Sequence, residues 1–244
     1  MRDFEMAKLL ISYLDLTSLN KNDTGETIQK LCKKALGKYG HTAAVCVYPR
    51  FVKAAHEMLK ESDVKIATVV NFPKGEGDFE QMREEILTAV NDGADEIDAV
   101  FPYNDFLSGN LDNCRRFLDV VTQATVAKKN KIILESGAFP YITELQAACR
   151  LCLEYNINFL KTSTGKSEIS ATPEAANAIL EVIRDTPRNV GFKASGGIKT
   201  FEDARKYFIL AQSIMGDEWM GKEKFRIGAS SLLDDLIKVI QQGY

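Results

Sequence analysis

The chain predicts an α/β fold, a (β/α)8 TIM barrel with a short N-terminal helix, as one domain over residues 1–244. Three observations lead there. Eight apolar strand candidates alternate with helical segments at a spacing of about 30 residues, the length of a βαβ unit, and strict alternation implies a parallel sheet. A length of 244 residues is typical of one closed eight-stranded barrel. Nearly every strand candidate ends on a polar residue, the place where such barrels keep their chemistry. An open doubly wound sheet is the alternative, and it ordinarily uses fewer strands.

The elements follow in order. Met1–Ser12 reads as a leading helix, and Tyr13-Leu14-Asp15-Leu16-Thr17 as a brief strand that ends polar. Asp23–Lys38 shows helical spacing of Ile28, Leu31, Cys32, Ala35 and Leu36. Thr42–Val47 is a strand carrying Cys46, and Pro49 stands where proline favours a helix start. The strand Lys65–Phe72 ends at Asn71, and its helix starts at Asp78 with Gln81 three residues on, as in a capping box. Asn91-Asp92-Gly93 stops that helix. Asp95–Phe101 is a strand with Asp98 at its middle, and a helix covers Asn110–Lys128. Lys131–Gly137 is a strand reaching Glu135, followed by a helix over Tyr141–Glu154. After the strand of Lys161, Thr172-Pro173-Glu174 supplies an N-cap, an N1 proline and a first-turn acid. After the strand of Lys193, Thr200 caps a helix through Ala211. Phe225–Ser230 is the last strand, and Leu232, Leu233, Leu236, Ile237 and Ile240 face the last helix inward. Gly243 would end that helix as its C-cap. Tyr244 beyond it reads either as a frayed end or as a phenol that folds over the barrel mouth for proton transfer.

Composition narrows the function. Hydrophobic residues are 45% and charged residues 27%, an ordinary water-soluble balance. A net charge of -3 gives no global basic field, so nucleic acid is not the expected partner. The first residues have no apolar signal core and no apolar run is long enough for a bilayer, so no membrane partner is expected. An odd count of 5 cysteines in a mid-sized chain fits reduced thiols and a cytoplasmic location. With only 2 histidines, a histidine-rich metal site and a Ser-His triad are both disfavoured. Cys149-Arg150-Leu151-Cys152 has C-x-x-C spacing but lies on a helical stripe and reads as core. Ser163-Thr164-Gly165-Lys166-Ser167 imitates the end of a P-loop, yet Leu160 stands where the first glycine is required.

The chemistry concentrates in Asn158-Phe159-Leu160-Lys161-Thr162-Ser163-Thr164-Gly165-Lys166. An unpaired ammonium in a buried strand is costly, so the group lowers its pKa and gives up its charge. A neutral amine attacks carbonyl carbon. Val190-Gly191-Phe192-Lys193-Ala194-Ser195-Gly196-Gly197 repeats the arrangement, and two such lysines aimed at one place would each depress the other. Asp98 would point inward, where a carboxylate persists only beside cations or donors. Ser195-Gly196-Gly197 and Gly228-Ala229-Ser230-Ser231 fall after strands seven and eight, the recurrent phosphate site of these barrels, and Lys166 could add charge. Residue chemistry alone leaves open which lysine is the nucleophile.

These segments, with Asp15-Leu16-Thr17, Ala44–Arg50, Asn71-Phe72-Pro73 and Gly93–Asp98, resemble the deoxyribose-phosphate aldolases from about Tyr13 to the last helix. The pair Lys-Thr-Ser-Thr-Gly and Lys-x-x-Gly-Gly is the most specific part. The resemblance implies a class I aldolase without metal or other cofactor that reversibly cleaves 2-deoxy-D-ribose 5-phosphate to acetaldehyde and D-glyceraldehyde 3-phosphate. By position it makes Lys161 the Schiff-base lysine, and Lys193 and Asp98 the proton-transfer pair. The substrate-binding candidates are Asp15, Thr17 and Cys46 on the early strands. Thr162, Gly165 and Lys166 join them after Lys161, then Ser195, Gly196 and Gly197, then Gly228, Ser230 and Ser231. Lys199 stands where these enzymes often carry arginine. A homodimer is a plausible assembly for this class. Two other functions compete: a pyridoxal-phosphate barrel, which also needs a lysine and a phosphate site, and a sugar-phosphate binder without turnover.

Overall fold

The computed structural model describes residues 1–243; Tyr244, and with it the reading of a catalytic tail, lies outside the described residues. Helix α1 (Asp3–Ser12) leads into β1 (Leu14–Ser18), α2 (Gly25–Ala35), β2 (Ala44–Val47) and α3 (Val52–Leu59). Then come β3 (Lys65–Val70), α4 (Phe79–Asn91), β4 (Glu96–Val100), α5 (Tyr103–Leu107), α6 (Leu111–Ala124) and β5 (Lys129–Ile133). The chain continues with α7 (Ile142–Leu153), β6 (Phe159–Lys161), α8 (Pro173–Arg184) and β7 (Gly191–Ser195). It closes with α9 (Phe201–Met215), β8 (Phe225–Ala229) and α10 (Leu232–Gln242). The eight strands are parallel and close in sequence order, β1 pairing with β8, so the (β/α)8 reading holds and the open sheet does not.

The helix starts follow their caps. Thr24, Asp78, Thr172 and Thr200 each accept a hydrogen bond from a first-turn backbone N–H, worth about 1 kcal/mol apiece. Asp78 caps α4 without the return bond from Gln81 that a capping box requires. Gly243 is the C-cap of α10, at φ -91°, outside the left-handed region.

Of the boundaries that differ from the sequence reading, three lie at strand exits. The strand expected to run to Phe72 ends at Val70, because Asn71 turns left-handed at φ 54°. Asparagine tolerates that region, and here its side chain replaces the lost ladder bonds: Nδ2 donates to the Val100 carbonyl and Oδ1 accepts from the Gly77 N–H. Likewise β5 ends at Ile133, and Glu135 sits at φ 54° opening a short 3-10 turn. The helix expected from Asn110 is preceded by α5, one turn that closes the exit of β4.

Period-two alternation sorts the strand residues into two sets. Leu14, Leu16, Val45, Ile66, Ile97, Ile132, Leu160, Phe192 and Ile227 point outward and are buried under the helices in the main core. Each such side chain contributes about 1.5–3 kcal/mol on burial. The inward set has two halves. Ala44, Cys46, Ala67 and Val69 of β2 and β3 form a small apolar cluster with Leu19. Across the barrel, the interior is filled by charge: Asp15, Glu96, Asp98, Lys131, Lys193 and Arg226 are each at most 1% exposed.

Candidate active site

Strand register sets this charged interior. Asp98 lies opposite Lys131, Lys161 opposite Lys193, and Lys193 opposite Arg226. The bases therefore line up side by side on β5 to β8, and the acids of β1 and β4 meet them in the barrel interior. Six of these groups form a closed ring of alternating charge. Asp98 Oδ2 accepts from Lys193 Nζ at 2.8 Å, and Lys193 Nζ also donates to Asp15 Oδ2 at 2.5 Å. Asp15 Oδ1 accepts from Arg226 Nη1 at 2.7 Å, and Arg226 Nη2 reaches Glu96 Oε1 at 2.9 Å. Glu96 Oε2 pairs with Lys131 Nζ at 2.5 Å, and Lys131 returns to Asp98 Oδ1 at 2.7 Å. Every member has two partners of opposite sign, which is what permits such burial.

Lys161 hangs outside this ring. Its Nζ donates to Asp98 Oδ2 at 2.8 Å, an oxygen that Lys193 already uses. No other ion pair reaches it among the described residues. The two lysines therefore titrate in opposite directions. Burial pushes Lys161 down; Asp98 resists, Lys193 adds to the push, and the net pKa falls below lysine's ordinary value. Burial also pushes Lys193 down, but Asp15 and Asp98 override it and raise its pKa. The expectation that each lysine depresses the other is corrected: two carboxylates hold Lys193 as ammonium, and only Lys161 gives way. Burial favours protonation of Asp98, yet Lys131, Lys161 and Lys193 together hold it well below the usual carboxylate range.

Only one of these bases reaches the outside. A cleft of about 250 Å³ opens at the ends of β6, β7 and β8, and Lys161 is in its wall while Lys131, Lys193 and Arg226 are not. Thr17, Gly165, Lys166, Ser195, Gly196, Gly197, Gly228 and Ser230 line it as expected, together with Lys199. Leu19, Asn20, Thr164 and Ile198 also line it and were not foreseen. Gly196 and Gly197 both have positive φ, 90° and 81°, which turns the chain at the end of β7. Among the described residues the amides of Gly197, Ile198 and Ser230, all in the cleft wall, donate to no other group, so this end of the cleft presents free N–H donors to an anion. Lys166 Nζ bridges to the Leu19 carbonyl at 2.7 Å, tying the β6 and β1 loops together.

Four expected substrate contacts stand elsewhere. Asp15 is fully buried beneath Lys193, as part of the ring. Cys46 belongs to the apolar cluster of β2 and β3, within the fields of Asp98, Lys193 and Lys161. The Thr162 hydroxyl donates to the Ser195 carbonyl and accepts from the Ser195 N–H, both at 3.0 Å, so it staples β6 to β7. Ser231 is the N-cap residue of α10, outside the cleft wall. Glu135, at the end of β5, holds the turn after Lys161: its Oε2 accepts from the Thr164 hydroxyl at 2.5 Å. Lys131, Glu96 and Arg226 were missed as site residues. The available signal was Glu96 and Asp98 two apart on one strand with Asp15 inward on another, three carboxylates that demand more cations than one lysine pair provides.

A larger cleft of about 470 Å³ lies over the ends of β2 and β3, lined by Tyr48, Arg50, Asn71 and Phe72, and contains none of the lysines of the network. Among the described residues no group of three or more His, Cys, Asp or Glu is arranged to hold a metal ion. No described helix is long and apolar enough to cross a membrane.

Over residues 9–238 the chain matches the family described as DeoC/LacD family aldolase. It is 42% identical over 244 residues to the deoxyribose-phosphate aldolase of Agrobacterium fabrum, covering 99% of this chain and 94% of that protein. A Toxoplasma gondii structure, provisionally described as a deoxyribose-phosphate aldolase, superposes with a TM-score of 0.90 at 23% identity, over 98% of this chain and 95% of that one. A deoxyribose phosphate aldolase from Aeropyrum pernix, described as a tetramer, gives 0.79 at 23% identity, over 99% and 98%. At those identities the two structures bear on the fold. The match of sequence runs through β1 to α10, and with it through every strand that carries the charged interior: the chain belongs to the DeoC/LacD family of aldolases.

Proposed function

We propose that this aldolase reversibly cleaves 2-deoxy-D-ribose 5-phosphate to acetaldehyde and D-glyceraldehyde 3-phosphate through a Schiff base on Lys161. The observation that carries the assignment is the asymmetry of the lysines: Lys161 alone among the buried bases lines the cleft, and it has the lowered pKa. Its neutral amine attacks the C1 aldehyde of the open-chain sugar, giving a carbinolamine that loses water to an iminium. Withdrawal of the C3 hydroxyl proton breaks the C2–C3 bond. Its electron pair moves into the iminium, leaving an enamine on Lys161 and freeing glyceraldehyde 3-phosphate. Protonation at C2 and hydrolysis then release acetaldehyde and restore the amine.

Asp98 and Lys193 serve these transfers as a coupled pair, since one carboxylate oxygen touches both lysine Nζ atoms at 2.8 Å. Asp15 keeps Lys193 protonated and available as an acid. The phosphate sits against the amides after β7 and β8, with Lys166 and Lys199 at the rim. None of these steps needs a metal or a cofactor. Five unpaired, buried thiols support a cytoplasmic setting, and a homo-oligomer is the assembly we expect.

The test is borohydride reduction in the presence of acetaldehyde, followed by peptide mass mapping. A two-carbon adduct on the Lys161 peptide is the expected result. An adduct confined to Lys193 reverses the roles, and none at all points to a binder without turnover.

A further inference from the structure

We infer that Arg226, which touches neither the cleft nor Lys161, is a positioning residue that keeps Lys161 unprotonated by completing the ring of six charges. The inference rests on the reading of Lys161 as the Schiff-base lysine. In their ordinary ionised forms the ring contains three cations, Lys131, Lys193 and Arg226, and three anions, Asp15, Glu96 and Asp98. It balances without Lys161. A proton on Lys161 therefore makes a surplus charge in a water-poor interior, and its loss leaves no carboxylate unpaired.

Arg226 is the member best suited to close the ring. Its guanidinium stays charged at any working pH and its fork serves two carboxyls at once. It meets Asp15 from β1 at 2.7 Å and Glu96 from β4 at 2.9 and 3.3 Å, while Nε donates to the Lys222 carbonyl. Holding Asp15 Oδ1 aims Oδ2 at Lys193; holding Glu96 leaves Oε2 for Lys131. With its positive charge absent, Asp15 and Glu96 turn fully to Lys193 and Lys131. Those lysines then draw less on Asp98, and Asp98 is released to Lys161 as an undivided counter-ion. Lys161 itself faces Asp98 on β4, Lys193 on β7 and the Cys46 thiol on β2. Lys131 faces Asp98, Glu96, Asp15 and Lys193, and the outer neighbour of Arg226 is Glu223. Glu135, the remaining buried carboxyl, pairs with Thr164 and forms no ion pair with any of these bases among the described residues.

The experiment measures the rate of acetaldehyde-borohydride trapping on the Lys161 peptide against pH. In the parent the rate climbs with pH as Lys161 loses its proton. Arg226→Met should move that climb upward by about one pH unit or more, slowing trapping about tenfold on the acidic side. Arg226→Lys should restore most of it. Arg226→Met combined with Glu96→Gln, which removes one charge of each sign, should return the climb toward the parent position, an outcome that loss of packing does not produce. A climb that stays in place in folded Arg226→Met, or a double variant no closer to the parent, overturns the inference. If Arg226→Met does not fold, Glu96→Gln alone decides: its climb should move to lower pH, and an unmoved climb overturns the idea. Absence of any Lys161 adduct in the parent instead removes the Schiff-base reading.

Discussion

β6 and β7 each carry one lysine, and the register sets the two side by side, Lys161 against Lys193. Their surroundings are opposite. Lys193 is fully buried between two carboxylates, whereas Lys161 is 4% exposed, lines the cleft and shares one oxygen of one carboxylate. The same residue type on neighbouring strands thus becomes a fixed cation in one case and a releasable base in the other. The number of carboxylates within reach decides the outcome, and strand register decides that number. Proximity of two ammonium groups is only a secondary contribution.

The strongest way to break this comparison is to delete each lysine in turn. Lys161→Met should lower kcat/KM by roughly 10,000-fold or more, the scale of losing a covalent nucleophile. Its stability at neutral pH should be unchanged or higher, because the fold disfavours that ammonium. Lys193→Met should also abolish most activity but cost about 3–5 kcal/mol of stability, since it leaves Asp15 and Asp98 each short of a partner. Urea unfolding of both variants reads the difference; equal stability losses would mean that the two lysines are equivalent parts of one network.

The phosphate end sharpens the comparison from the cleft side. Gly197 has open space around it but a φ of 81°, so any side chain there carries about 1–2 kcal/mol of backbone strain. Gly197→Ala isolates that strain. Gly197→Asp adds a carboxylate facing the anion and should raise KM for the phosphorylated sugar by a further factor of about 10–100, from charge repulsion. With 2-deoxyribose lacking phosphate, the two variants should behave alike. A penalty from aspartate that persists without the phosphate would place the anion elsewhere.

A smaller and more selective effect is expected under Lys193. A Cβ on Gly228 would lie 2.9 Å from Lys193 Cε and 3.0 Å from Ser195 Cβ. Gly228→Ala therefore pushes the ammonium off its line to Asp98, and kcat should fall about tenfold, a modest loss for a displaced acid–base group. KM should change little, since the amides of the phosphate end remain. A rise in KM with kcat intact would assign the glycine to substrate contact instead.

The legible parts of the fold were those governed by local rules. Outward strand faces read as apolar because helices cover them, and Asp78, Thr172 and Thr200 announced helix starts. The strand ends at Asn71 and Glu135 were less legible, since in both the backbone leaves the strand through a left-handed residue held by distant partners, Val100 and Thr164. At the site, Lys161, Lys193 and Asp98 stand out because each breaks an apolar strand, and Gly196, Gly197 and Gly228 because they fall at the ends of the last two strands. Lys131 and Arg226 stand level with Asp98 and Lys193 on the neighbouring strands, and with Glu96 they make sense only as partners in the closed barrel.

By itself, then, the sequence determined the alternation of elements, the parallel barrel that alternation requires, and the presence of two lysines and an acid facing one place. It could do so because period-two and period-3.6 patterns are local properties of the chain. Only the tertiary structure decided which lysine is held as a cation and which has its pKa pushed down. That depends on ion pairs between β1, β4, β5, β7 and β8, groups as far apart in the chain as Asp15 and Arg226, brought within 2.7 Å by closure of the barrel. Coulomb energy depends on separation in space and on the low-dielectric surroundings that closure creates, and neither is a property of the chain read in order.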